Sequence, residues 1–325
     1  MDNPTIAELG NEPRFVQMPG GPARRASQEL LEGLQAAQAH IAPKFLYDAL
    51  GSSLFTAITQ LPEYYPTRCE AEIFDTHGAD IARHAGPLQA MIDLGAGDCS
   101  KAQRLLEFLR PAQYVPIDIS ADYLQDAVAR LHTLHPELEI VALGLDFSET
   151  LALPSGVRPK RRLFVYPGSS IGNLDGPQAL AMLERIRTGC PDGGLLVGVD
   201  RVKPREILEP AYDDALGVTA AFNLNLLRHV NALAGTDFHV EDWKHVAFYN
   251  PALERVEMHL EARRPARVAW PGGQRAFGPG ERIHTESSYK YQPEGFSAML
   301  ERAGFSDIRH WTDERSWFSV FHARA

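Results

Sequence analysis

The stretch from Gln89 to Lys101, QAMIDLGAGDCSK, gathers the residues of this chain best suited to hold a nucleotide-like ligand. Ala90, Met91, Ile92 and Leu94 read as a buried parallel strand, and Gly95 and Gly97 let the backbone turn and approach a ligand with no Cβ in the way. A dinucleotide turn needs a third glycine where this chain has Ser100, so NAD is disfavoured. Asp118 closes the next apolar run, about 20 residues after Gly97, where a carboxylate can take the hydroxyls of a ribose. A cofactor with a ribose and no pyrophosphate fits, S-adenosylmethionine among them, although the turn alone leaves any doubly wound α/β domain open. A second loop, Pro167 to Asn173, carries Gly168 and Gly172 after another apolar run and sets Asn173 where a substrate would lie.

Other chemistries find less support. His132 and His135 lie three apart on one predicted helix without a third ligand nearby, so no metal site is expected. Cys69, Cys99 and Cys190 show neither CxxC nor zinc spacing and read as reduced thiols. With 32 Lys and Arg against 42 Asp and Glu, the net charge of −10 argues against nucleic acid or an anionic membrane as partner and favours a small-molecule substrate. The N-terminus, with Asp2, Glu8 and Glu12, lacks the apolar core of a signal peptide, and no run approaches a membrane span, so a cytoplasmic protein is expected.

The elements that must position these residues follow from periodicity. Residues 1 to about 25, rich in Pro and Gly, are predicted to form an extended or partly disordered arm. Leu30, Leu31, Leu34, Ala37 and Ile41 recur at helical spacing and predict a helix ending near Pro43. Lys44 to Phe74 packs Phe45, Tyr47, Phe55, Tyr64 and Tyr65 around Pro62 and Pro66 before a helix start at Thr67. Strands and helices then alternate as far as Asp200, with one strand closing on Asp146 and Phe147, and Pro116 predicts a bulge or a shortened strand. From Lys203 to about Glu286 the alternation gives way to a helical stretch and strand-like runs, and it resumes from Pro293. The expected fold class is α/β, a Rossmann-like domain (71–202 with 291–325) interrupted by a second, α+β substrate-binding domain (26–70 with 203–290).

From about Phe45 to the C-terminus the chain resembles a known family. The segments YDALGSSLFTAITQLPEYYPTR, DLGAGDCSK, PIDIS, PGSSIGNL, AYDDALGVTAAFN, ERVEMHL and TESSYK are similar to those of the histidine Nα-methyltransferases of ergothioneine biosynthesis, which form the betaine hercynine. The resemblance implies a class I methyltransferase fold, S-adenosyl-L-methionine as cofactor, L-histidine and its methylated forms as substrate, and up to three transfers per molecule. It places Tyr64, Gly95, Gly97, Lys101, Asp118 on the ribose, and Asp146 with Phe147 near the adenine, on the cofactor side. Lys101 has a second reading, as an exposed first-turn lysine. On the substrate side it implies Asn173 and Tyr212 on the carboxylate, with Tyr47 and Asn173 as the catalytic pair near the accepting nitrogen. Glu286 and Ser288 would hold the imidazole, Met258 would wall the pocket, and Gly168 would leave room for added methyl groups. A methyltransferase for another amino acid or amine, and a non-catalytic cofactor-binding module, stay open. A monomer is expected.

Overall fold

The structure is a computed structural model that describes residues 12–18, 23–148 and 150–325. Strand β1 (Arg14–Gln17) and helices α1 (Ala23–Gln35), α2 (Ala49–Ile58) and α3 (Tyr65–Ala85) come first. An alternating run follows: β2 (Ala90–Leu94), α4 (Ser100–Leu109), β3 (Gln113–Asp118), α5 (Ala121–Leu134), β4 (Glu139–Gly144), β5 (Arg162–Tyr166), α6 (Gly176–Gly189) and β6 (Gly194–Asp200). Next come α7 (Arg205–Leu208), α8 (Val218–Ala234), β7 (Trp243–Asn250), β8 (Arg255–Ala262), β9 (Ala266–Trp270), β10 (Gly273–Phe277) and β11 (Arg282–Tyr289). Helix α9 (Pro293–Arg302) and strands β12 (Ser306–Thr312) and β13 (Phe318–Arg324) end the chain.

Eight strands form one sheet in the order β1-β4-β3-β2-β5-β6-β13-β12. All pair in parallel except β13, which runs antiparallel to β6 and to β12. Every residue of β2 is buried, as a central parallel strand covered on both faces requires. Met91 packs into one apolar core with Ile73, Phe74 and Leu105, whereas Ile92 and Leu94 pack into the other with Leu183. Because successive strands turn opposite ways from β2, toward β3 on one side and β5 on the other, a crevice opens at their carboxyl ends. The Gly95–Gly97 turn and the Pro167 loop both lie there.

A second, three-stranded antiparallel sheet runs β11-β8-β7, with the β9–β10 hairpin beside it. Helix α8 ends cleanly because Gly217 and Gly235 adopt left-handed φ of 75° and 66°, and Asp214 accepts from the amides of Val218 and Thr219 at its start. Asp48 caps α2 through the amide of Gly51 at 2.7 Å and accepts from Nδ2 of Asn225 at 2.8 Å, which ties α2 to α8.

Several boundaries depart from the sequence reading. Arg14–Gln17, assigned above to an arm, pair in parallel with Val141–Gly144 at the sheet edge; the remainder of that arm before residue 12 lies outside the described residues. Helix α1 stops at Gln35 rather than near Pro43, because Ala39 to Ile41 leave the helix to bond β11, with Ile41 N to His284 O at 2.9 Å and His284 N to Ala39 O at 2.9 Å. Helix α3 begins at Tyr65, two residues before Thr67. Pro116 makes no bulge: its register opposite Asp93 is unbroken, and on the β4 side pairing lapses between Tyr114 and Ile117 without a shift, where the missing N–H does no harm. Strands β10 and β11 were not anticipated, since their mixed polar sequence lacks a clean alternation.

Candidate active site

Tyr47, Gly168, Asn173, Tyr212, Met258, Glu286 and Ser288 all line one chamber between the main sheet and the second unit. They come from distant segments. Tyr47 stands immediately before the cap of α2, its ring edge-on to Phe55 and Phe222 with centroids 5.5 and 5.6 Å away. Asn173 ends the 3-10 turn Ser170–Asn173 that follows the Pro167 loop. Met258 and Glu286 are cross-strand partners on β8 and β11, so the pleat aims both inward together. Sequence reasoning put Tyr64 with the cofactor residues, but it lines this same chamber, edge-on to Phe55 and Tyr212.

Burial controls the acid–base state of this chamber. It raises the Tyr47, Tyr64 and Tyr212 phenols well above their ordinary range, so they stay protonated near neutral pH. Burial also raises the Glu286 carboxyl to about 7, against the opposing pull of the Lys290 ammonium. Tyr212 Oη lies 2.7 Å from Ser288 Oγ, and Lys290 Nζ donates to both at 2.8 Å.

The glycine turn is held by Asp118. Its Oδ2 accepts from Gly97 N and its Oδ1 from Ser120 N, each at 2.9 Å, while Gly95 N and Ala96 N both bond Ile117 O. Burial raises the Asp118 carboxyl, and these amides partly offset the effect. Gly95 and Gly97 have φ of 74° and 55°; a Cβ on Gly97 would meet nothing within 4 Å, so the turn faces open space. Phe147 borders the turn from beyond Gly95 and meets Tyr166 edge-on at 5.8 Å. Asp146 accepts from Ser148 N at 3.0 Å and pairs with Lys44 at 3.1 Å.

Lys101, in the first turn of α4, is 31% exposed, and its Nζ pairs with Oε2 of Glu70 at 2.8 Å. Glu70 is 1% exposed, and its Oε1 accepts from Gly168 N at 2.8 Å. The pair thus links α4 to the Pro167 loop. A Cβ on Gly168 would come within 2.6 Å of Lys101 Nζ and displace the end of that side chain, and the φ of 75° would strain any other residue there.

Glu70, Asp200, Lys203 and Lys290 were missed as contributors, although two of them left a signal. Glu70 shares the buried helix face of Pro66, Ile73 and Phe74, an acid placed among apolar positions at i−4, i+3 and i+4. Asp200 closes a strand otherwise made of apolar residues and glycine. Asp200 Oδ2 accepts from Tyr65 at 2.6 Å and from Lys290 at 2.8 Å, and Oδ1 accepts from Lys203. Burial opposes its charge, but the two ammonium groups outweigh that and hold its carboxyl below the usual range. Among the described residues no three His, Cys, Asp or Glu side chains are grouped to hold a metal, and the cysteines are buried and unpaired.

With this geometry in hand, comparison with known proteins is direct. A family model described as histidine-specific, S-adenosylmethionine-dependent methyltransferase matches residues 26–325. The chain is 41% identical over 305 residues to the histidine N-alpha-methyltransferase of Mycolicibacterium smegmatis, covering 92% of this chain and 94% of that protein. The enzyme of the same name from Mycobacterium tuberculosis is 40% identical over 301 residues, 90% and 92% of the two chains. Ergothioneine biosynthesis protein 1 of Neurospora crassa is 30% identical over 275 residues, 82% of this chain but 31% of the fungal protein. The convergence of the chamber residues and the match over nearly the whole chain place this protein in the family of S-adenosylmethionine-dependent, histidine-specific methyltransferases.

Proposed function

We infer that the chain transfers methyl groups from S-adenosyl-L-methionine to the α-amino nitrogen of L-histidine, up to three times, to give hercynine for ergothioneine biosynthesis. The observation that carries this reading is that residues from the loop before α2, the Pro167 loop, the segment before α8 and two strands of the second sheet face one chamber, the Pro167 loop following the strand next to the one that ends in the glycine turn. The division into a cofactor unit around the large sheet and a substrate unit around α8 and the second sheet follows the same line.

The residues at the crevice suit the cofactor. Asp118 spends one lone-pair direction of each oxygen on a backbone amide, leaving acceptor capacity for a ribose diol. The open face at Gly97 admits a ligand against the backbone, and Phe147 with Asp146 offers an apolar wall and an acceptor to an adenine. Lys101 is positioned to meet the amino acid end of the cofactor, with Glu70 fixing its direction. When bound, the cofactor supplies an electrophilic methyl on a sulfonium that carries its own leaving group.

What the protein adds is position. Asn173 and Tyr212 orient the amino acid end of histidine, Tyr47 and Tyr64 close the space around its nitrogen, and Glu286 with Ser288 receives the imidazole at the far wall. Holding the nitrogen in line with the methyl carbon and excluding water accounts for the main part of the rate. An ammonium has no lone pair, so histidine and its first two methylated forms must each lose a proton before transfer. The phenols are too weakly acidic to serve as ionised bases here, so Tyr47 acts as a relay or the neutral amine is taken from solution. Gly168 and Ser169 line the same chamber, but Lys101 Nζ occupies the space beside Gly168, so methyl groups already added must take the space toward the other walls.

The reading extends to a cytoplasmic monomer without a nucleic acid partner, supported by the net charge of −10 and by the lack of any described helix able to cross a membrane. The deciding experiment incubates the purified protein with S-adenosylmethionine and each proteinogenic amino acid, reading products by mass. One to three added methyls on histidine are expected. Methylation of a different amino acid instead would reassign the substrate, and none on any would leave a cofactor-binding module.

A further inference from the structure

Lys290 is fully buried, yet no role in the reaction has been given to it. Its ammonium has three N–H donors, and three acceptors lie at 2.8 Å: Asp200 Oδ2, Tyr212 Oη and Ser288 Oγ. Asp200 belongs to the floor of the crevice, whereas Tyr212 and Ser288 line the chamber.

Counting hydrogens shows what this lysine does to its neighbours. Tyr212 and Ser288 each own one hydroxyl hydrogen, and both oxygens already accept from Lys290. The 2.7 Å bond between them consumes one of the two hydrogens. Neither hydroxyl makes another hydrogen bond among the described residues, so one hydrogen remains to be directed into the chamber. Whichever hydroxyl holds it, the group that meets this corner must be an acceptor. In the buried cluster Lys203 and Lys290 share Asp200, and the remaining charge facing Lys290 is the Glu286 carboxyl across the chamber.

We propose that Lys290 is a positioning residue that selects a substrate bearing a carboxylate, by fixing Ser288 as donor to Tyr212 and the Tyr212 hydroxyl as the donor toward the chamber. Without the ammonium, the lone pairs it now occupies on both hydroxyls are free, either hydroxyl can donate to the other, and the direction of the hydrogen left for the chamber is no longer fixed. A decarboxylated amine offers it no acceptor of matching charge. This rests on the histidine reading above, and names the part of the site that recognises the amino acid end.

The test uses L-histidine and histamine, which share the imidazole and the amine and differ in the carboxylate. Binding of each is measured by calorimetry in the presence of S-adenosylhomocysteine, for the wild type and for Lys290→Met, together with KM and kcat for histidine. Asp200 keeps Lys203 and Tyr65 as partners in this variant. Histidine binding is expected to weaken about 10- to 100-fold, the scale of a lost charge-assisted hydrogen bond, while histamine binding changes less than threefold. KM should rise with a smaller change in kcat. Equal losses for both ligands, or no loss for either, in a folded variant overturn the proposal, since general damage to the chamber would not discriminate. If the methionine variant does not fold, Lys290→Gln, which keeps a buried donor without the charge, carries the same expectation and the same refutation. A wild type that binds neither compound and methylates no histidine would overturn the substrate reading itself.

Discussion

Glu286 sits at the chamber wall with its carboxyl raised to about 7 by burial. A folded pKa above the ordinary carboxylate value means that the group favours the folded state at low pH, and that this contribution is lost as the pH rises through about 7. For catalysis the sign is opposite. An imidazole N–H needs an ionised acceptor, so substrate capture should improve as Glu286 loses its proton near pH 7. Free histidine titrates its own imidazole at about 6.5. The variant Glu286→Gln separates the two ionisations. In a plot of log kcat/KM against pH, wild type should depend on one more proton below about pH 6 than the variant does. Parallel profiles would remove Glu286 from imidazole recognition. Tyr47, Tyr64 and Tyr212, which share the chamber, titrate too high to interfere.

Helix α2 shows how an ordinary structural device places a functional ring. Tyr47 precedes the cap Asp48, and Asp48 accepts at the same Oδ1 from the helix amide and from Asn225 of α8. Phe55, one face of α2, and Phe222, one face of α8, then grip the Tyr47 ring from two sides. Asp48→Ala should lower unfolding free energy by about 1–3 kcal/mol, a lost cap plus a lost hydrogen bond, measured by urea denaturation. KM for histidine should rise severalfold while, if the proposed cofactor residues at the glycine turn hold S-adenosylmethionine, its affinity stays within twofold. An equal loss of both affinities would show that α2 supports the whole crevice rather than the substrate side. Neither α2 nor its cap was anticipated from the sequence, although an aspartate before ALGSSL is a common helix start. Its second partner lies 177 positions away and could not be read from the neighbourhood.

The large sheet is extended at one edge by β1, which adds Arg14–Gln17 in parallel to β4. Phe15 and Val16 are half-buried there, and Arg14 reaches Glu139 at 2.7 Å. Full burial of such side chains is worth about 1.5–3 kcal/mol each, so half-burial of two sets the contribution at about 1.5–3 kcal/mol. The exposed ion pair adds little. Deleting residues 1–18 should therefore lower stability by that amount and leave the edge of β4 open to association, visible as larger species in gel filtration. Methyl transfer at 25 °C should persist, because β1 lies at one end of the sheet order, with β4, β3 and β2 between it and β5. Loss of activity with unchanged stability would tie this strand to the site.

Local chemistry, as written in the sequence, was enough for the glycine turn, Asp118 and the run of alternating strands and helices. A buried parallel strand is a continuous apolar run, and a turn that must approach a ligand needs residues without a Cβ. The family segments carried the list of chamber residues, and the fold brought Tyr47, Asn173, Tyr212 and Glu286 to a common wall. Tertiary structure decided the rest. Whether Lys101 faces water or an acid depended on Glu70, thirty-one positions earlier on another helix and buried by the sheet. Tyr64, immediately before α3, lines the same chamber as Tyr47 and Tyr212, which its position in the sequence did not show. Glu286 and Lys290 acquired their properties from burial, since a polar run such as TESSYK gives no sign of being covered on both sides until β8 and the Asp200 cluster pack against it.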